Sequence, residues 1–165
     1  MVKLDRFNRL TKICSLIGFC ISTYALYVEI SLEKYPKFKP YCNVMKHINC
    51  SPAFTSRFAK GFGVFGYLLG NDSIINVPNG LVGMFYYIIF FLLGFSNNQS
   101  YVNMQYYLAI LSNIMNFYLA YILIIIIKEL CLVCVTTYLV NILSFLIVSI
   151  KRKTLIENTI KSKIE

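Results

Sequence analysis

Charge is scarce in this chain. Lysine, arginine, aspartate and glutamate make up 14% of its 165 residues against 58% hydrophobic ones, and the mean hydropathy is +0.64. A soluble domain carries about 25% charged residues, so that class is excluded and an integral membrane protein remains. Acidic residues are scarcer still, 7 against 16 basic ones, and the net charge of +9 sits mostly on the two flanks, which favours anionic lipid over nucleic acid as a partner. There is one histidine, His47; lying between Cys42 and Cys50 it either tunes a thiol or, more simply, is a solvated loop residue. No internal repeat, soluble linker domain, flavin motif or nicotinamide motif is visible.

What is present is a set of long apolar runs. A helical span needs about 20 apolar residues, and the sequence predicts spans at about 10–30, 79–95, 101–127 and 130–150, the first resting on the apolar run 13–30. The expected fold is therefore an all-α integral membrane protein, a four-transmembrane-helix bundle forming a single membrane domain over residues 1–165. The first run ends in Tyr24, Leu26 and Tyr27 without a small-x-small cleavage pattern, so it reads as a retained signal anchor. Basic residues prefer the cytoplasmic side. Lys3, Arg6, Arg9 and Lys12 before the first span, and Lys151, Arg152 and Lys153 in the tail 151–165, put both termini there, opposed only by the basic residues of the loop 31–78. Lys161 and Lys163 stand fifth and third from the end, in the manner of a dilysine signal that returns membrane proteins to the endoplasmic reticulum.

The loop 31–78 is polar and irregular at first, with Pro36, Pro40 and Pro52. Phe54, Phe58, Phe62 and Phe65 then recur at helical spacing, predicting a short amphipathic helix lying on the membrane face, broken near Gly61, Gly63 and Gly66. Turns are expected at Asn71, Asp72 and Ser73 and again at Val77 to Gly80, and Asn49 and Asn71 fit the glycosylation pattern.

Two cysteine pairs carry the chemistry. Cys131 and Cys134 share one helix face roughly 5 Å apart, within disulfide reach. Placed in the first turn of the last span, they meet free backbone N–H groups and the positive end of the helix dipole, which favour thiolate. Cys42 and Cys50 form a second dithiol in the polar loop, and two such pairs are the parts of an electron relay. Other readings stay open: inert buried thiols, a zinc site of all four cysteines, or two static disulfides. Cys14 and Cys20, within the first span, read as packing residues. Tyr138 lies one turn beyond Cys134, and a buried tyrosine hydroxyl needs a partner.

The succession Cys42, Cys50-Ser51, Phe54, Ser56-Arg57, Lys60-Gly61-Phe62-Gly63, Asp72-Ser73, Asn79, Gly83 and Cys131-Leu132-Val133-Cys134-Val135-Thr136-Thr137-Tyr138 resembles the vitamin K epoxide reductase family over about residues 10–152. The resemblance implies a bundle in the endoplasmic reticulum membrane whose quinone pocket opens to the lumen under a cap made by the loop. It implies that Cys134 attacks the quinone ring or its epoxide, that Cys131 resolves the adduct, and that Cys42 and Cys50 bring electrons from a lumenal thioredoxin-like oxidoreductase or a small dithiol. Asn79 and Tyr138 match the residues that hydrogen-bond the quinone oxygens, with Phe54, Val82, Gly83 and Tyr86 expected around the ring.

No permanently bound cofactor and no metal are expected; vitamin K quinone and epoxide are substrates, and coumarin-type inhibitors are possible ligands. The implied activity is reduction of vitamin K 2,3-epoxide to quinone, and of quinone to hydroquinone, in support of vitamin K-dependent carboxylation. The alternative is a quinone-coupled thiol oxidase serving disulfide formation or antioxidant quinone recycling. Phe58-Ala59 replaces the family's frequent Trp-Gly, and Leu139 its frequent Ala; both departures bear on anchoring, pocket shape and coumarin sensitivity.

Overall fold

The computed structural model describes residues 2–164 except Pro36, Lys46, His47, Asn71, Asp72 and Ile75, with the side chains of Val2, Lys3, Leu69, Ser162, Lys163 and Ile164 also left aside. The expectations placed on His47, on the turn and glycosylation at Asn71, and on the Lys163 side chain lie outside the described residues.

The described chain is helical, with isolated β-bridges and no strand. Helix α1 runs Val2–Lys34, followed in the loop by α2, Ser51–Thr55, a 3-10 turn at Gly61–Gly63 and α3, Phe65–Leu69. Then come α4, Asn79–Leu93, α5, Gln99–Tyr121, prolonged by wider π-type turns through Ile122–Ile127, and α6, Leu132–Ile164. Among the described residues, three helices are long and apolar enough to cross a membrane: Leu4–Lys34, Gln99–Ile127 and Leu132–Lys161. Helix α4 is apolar but has only 15 residues, about 22 Å at 1.5 Å per residue against a hydrocarbon core of about 30 Å. The last helix also passes well beyond residue 150, so the basic tail is a continuation of α6 rather than a separate segment.

Helix α1 packs on α4 and α6, and α5 on α6, while α4 and α5 touch sparsely. Gly80 permits the closest approach: a Cβ there would stand 2.8 Å from the Leu26 backbone nitrogen and 3.1 Å from the Ser22 carbonyl. Between helices the ties are polar. The Tyr87 hydroxyl donates to Asn141 Oδ1 at 2.8 Å, Asn141 Nδ2 donates to Asn116 Oδ1 at 3.0 Å, and Asn113 Nδ2 donates to the Asn141 carbonyl at 3.1 Å. These bonds join α4, α5 and α6 where apolar packing against lipid gives no preference for one neighbour over another. The outer faces carry Leu16, Ile17, Phe85, Leu92, Ile114, Phe117, Leu143 and Leu146, all exposed, as a lipid-facing surface requires.

Basic groups of both flanks gather at one end. Lys151 Nζ donates to the Ser96 carbonyl at 3.0 Å, Arg152 Nε donates to Asn103 Oδ1 at 2.8 Å, and the Lys12 ammonium lies 4.3 Å from the Phe95 ring centre. Asn8 of α1 reaches Asn97 at the same end. The four cysteines of the two pairs lie at the opposite end of the helices.

Gly80→Val should destabilise the protein by about 2 kcal/mol through overpacking against α1, lowering the thermal unfolding midpoint in detergent. Leu92→Val on the lipid-facing side should leave that midpoint nearly unchanged.

Candidate active site

Cys42 and Cys50 are joined by a disulfide with Cα atoms 5.8 Å apart, whereas Cys131 and Cys134 are free thiols. This removes two of the four thiolates that a zinc site would need. Local hydrogen bonds explain why the loop closes on itself here: Asn43 Oδ1 accepts from the Cys50 N–H at 2.8 Å, and Asn43 Nδ2 donates to Ser51 Oγ at 2.8 Å. The second pair is brought alongside by the backbone. Ile48 forms a parallel bridge with Leu130, and the Asn49 N–H donates to the Leu130 carbonyl at 3.0 Å. Cys50 and Cys131 are each the next residue along, both fully buried, and Cys42, Cys50 and Cys131 share one packed cluster, with Cys134, Phe54 and Tyr138 against it.

Cys131 stands just ahead of α6 and Cys134 lies in its first turn. The Cys134 N–H donates to Cys131 Sγ at 3.4 Å. Hydrogen bonding from the Cys134 side chain holds the Cys131 thiol below its ordinary range; burial opposes this, and the backbone N–H groups of Cys134 and Val133 assist.

Cys134 opens onto a cavity of about 430 Å³ between α1, α4, α5 and α6, roofed by the loop. The expected ligand-binding residues Phe54, Asn79, Val82, Gly83, Tyr86 and Tyr138 all line it. Cys131 does not; it sits behind Cys134, toward the loop disulfide. Cys20 is exposed on the outer face and Cys14 is partly buried in α1, and neither belongs to this cysteine cluster.

The aromatic stripe corrects one expectation. No single amphipathic helix lies on the membrane face: Phe54, Phe58, Phe62 and Phe65 belong to separate short turns, and all four rings line the cavity. Gly61 and Gly63 adopt positive φ, with Phe62 between them also left-handed at 56°, which folds the stripe inward and ends any regular helix. Leu139 corrects another. It is 56% exposed and faces away from the cavity, so it does not shape the pocket. Phe58 and Ala59, the other departure, do line it.

Asn79 holds the roof. Its Oδ1 accepts from the Phe62 N–H at 2.9 Å, its Nδ2 donates to the Phe58 carbonyl at 2.7 Å, and its own N–H, an unpaired donor at the start of α4, donates to the Ala59 carbonyl at 2.9 Å. One amide hydrogen of Asn79 is left for a ligand. The Tyr86 hydroxyl donates to Ser112 Oγ at 3.1 Å, on the α4–α5 side of the cavity. Sequence reasoning did not anticipate the α1 wall, formed by Ser22, Ala25 and Glu29. Glu29 carried a signal: it is the only charged residue in the apolar run 13–30, and an ionisable group in such a run is exceptional.

Residues 9–149 match the family model described as the vitamin K epoxide reductase family. The chain belongs to the vitamin K epoxide reductase family. It is 35% identical over 134 residues to the Rattus norvegicus protein named vitamin K epoxide reductase complex subunit 1, covering 81% of this chain and 83% of that one. The Mus musculus protein of the same name is 33% identical over 127 residues, 77% and 79% of the two chains. As a member of this family the chain is an oxidoreductase.

Asn79→Ala should leave the Phe58 carbonyl and the Phe62 N–H without partners and cost about 1–3 kcal/mol. The check is amide hydrogen exchange across residues 56–64, which should speed up in the variant while the centre of α6 stays protected.

Proposed function

We propose that the protein reduces vitamin K 2,3-epoxide to the quinone, and the quinone to the hydroquinone, with electrons from dithiols. The observation that carries this reading is the joining of two cysteine pairs, one disulfide-bonded and one reduced, in a single buried cluster that ends at an apolar cavity. The Cys134 thiolate attacks a ring carbon and opens the epoxide, forming a C–S bond. The Cys131 thiolate then attacks Cys134 Sγ; the S–S bond forms, the C–S bond breaks, and its electron pair returns to the ring, expelling the former epoxide oxygen, which leaves as water after protonation. Two thiols are oxidised to one disulfide and one epoxide is reduced. Asn79 and Tyr138 donate to the ring oxygens, where negative charge develops in a low-dielectric pocket. The sparse contact between α4 and α5 leaves an apolar side route suited to an isoprenoid tail.

Cys42 and Cys50 then restore the Cys131–Cys134 pair by thiol–disulfide exchange. Cys42 is the less buried of the two, at 7% exposure against 0%, and Tyr41, Val44 and Met45 beside it are exposed apolar residues. A thioredoxin-like oxidoreductase of the lumen is the partner we assign to that surface, attacking Cys42 and leaving Cys50 to pass electrons to its neighbour Cys131. We further assign a multi-pass position in the endoplasmic reticulum membrane as a single domain, with α4 as the fourth crossing and both termini cytoplasmic. The grouping of Lys12, Lys151 and Arg152 at one end supports the last point.

The test is dithiol-driven turnover of vitamin K epoxide by the purified protein in lipid. Wild type should form quinone, and Cys134→Ala should lose roughly a thousandfold or more; an active Cys134→Ala protein would sink the mechanism. Quinone-dependent thiol oxidation without epoxide turnover would instead establish the thiol oxidase. A separate outcome concerns the relay: Cys42→Ala should lose turnover driven by a thioredoxin-like protein and retain part of that driven by a small dithiol able to reach the Cys131–Cys134 pair directly.

A further inference from the structure

Glu29 is 1% exposed, forms part of the cavity wall, and neither of its carboxylate oxygens has a hydrogen-bond partner. Its height in the bundle is fixed from both sides. Three residues earlier, Leu26 packs against Gly80, next to Asn79. Four residues later, the Glu33 carboxylate pairs with the Lys60 ammonium, and Lys60 is bridged to Pro78, on the other side of Asn79. Glu29 therefore faces the cavity at the level of Asn79, the end where the reactive thiol opens. Lys60 and Glu33 are the charged groups that act on it, and because they are paired with each other, the nearby ammonium is already engaged. An unpartnered buried carboxylate is costly; protonation removes its charge and gives the group an O–H to donate.

We propose that Glu29 is a catalytic residue, the acid that delivers a proton to the substrate oxygen released by ring opening. This rests on the epoxide reductase reading above. When Cys134 sulfur bonds to a ring carbon, the epoxide C–O bond at that carbon breaks and its electron pair stays on oxygen as an alkoxide. Glu29 protonates that alkoxide to a hydroxyl and becomes a carboxylate. Once the Cys131–Cys134 disulfide has formed and the ring has expelled the hydroxyl as hydroxide, a second proton completes water. The two protons that end on water are those given up by the two thiols when they ionised, one of them returning through Glu29, so the acid is regenerated each cycle. The side chain already lines the cavity, and its three rotatable bonds give the carboxyl freedom to orient toward a ligand there. The other donors at this level, Asn79 and Tyr138, fit the role of hydrogen-bonding the ring oxygens; neither a primary amide nor a phenol is as ready a proton source as a carboxylic acid.

The experiment compares full-length wild type, Glu29→Gln and Glu29→Asp in lipid nanodiscs, with vitamin K epoxide and a small dithiol. Glu29→Gln keeps the shape and hydrogen-bonding capacity but not the proton; it should lower kcat on the order of a hundredfold with little change in KM, and Glu29→Asp should recover part of the loss. A Glu29→Gln protein of wild-type thermal stability and wild-type kcat overturns the proposal. Infrared difference spectra on adding vitamin K quinone give a readout independent of turnover. A protonated-carboxyl carbonyl band that shifts in wild type and is missing in Glu29→Gln supports the assignment, and its absence from wild type overturns it. Wild type that binds quinone yet never turns over epoxide would remove the epoxide reductase reading, and the infrared band would still decide whether Glu29 presents a proton to a quinone in this cavity.

Discussion

One backbone hydrogen bond, from the Asn49 N–H to the Leu130 carbonyl, brings the two cysteine pairs side by side. Its donor is in the loop after α1 and its acceptor is in the short turn between α5 and α6, so the bond forms only when the bundle is assembled. It puts Cys50 and Cys131 at matching positions on paired strands of backbone. Their side chains then share a buried cluster, the proximity that exchange of partners between the pairs, as proposed above, requires. The left-handed Lys128, with φ of 58°, turns the chain sharply enough after the π-type turns of Ile122–Ile127 for Leu130 to meet the loop. The end of α5, the start of α6 and the loop disulfide are therefore one structural unit.

The same economy governs the roof over the cavity. Asn79 is the first residue of a helix, yet its side chain is spent on the backbone of residues 58 and 62. These bonds hold the amide rigid, which suits the donor role proposed for it, since a donor that must reorganise loses most of its advantage. Four phenylalanine rings hang from this roof, and Cys134 lines the same cavity. Against this apolar lining, the Tyr87, Asn141 and Asn116 chain of hydrogen bonds fixes the helices around the cavity, where shape alone would tolerate sliding.

Much of this was legible beforehand. The runs 79–95 and 101–127 fall within a few residues of α4 and of α5 with its π-type extension, and the run 130–150 covers the first part of α6, because a lipid-exposed helix must be apolar along its whole buried length. The two cysteine pairs are visible in the sequence, which leaves open whether they form disulfides, a metal site or inert thiols; Cys42 is disulfide-bonded to Cys50, and the six expected ligand-binding residues do line one cavity. The Phe54 to Phe65 stripe was misdirected because helical periodicity reports which residues share a face, and Gly61 and Gly63 break the helix that the period presumes. Leu139 follows Tyr138 directly, and one step along a helix rotates a side chain by about 100°, enough to move it from the cavity to the lipid.

The sequence by itself determined the class of the protein, its apolar runs, its two dithiols and its family, because each of these depends on composition or on residues close together in the chain. Only the tertiary structure decided that the dithiols meet, that Asn79 carries the roof, and that Glu29 faces the cavity with its nearest cation already paired. The physical reason is that burial and partnership are properties of contacts between elements: a single carboxylate in an apolar run marks an anomaly, but whether it finds an ammonium or a cavity depends on which helices pack against it.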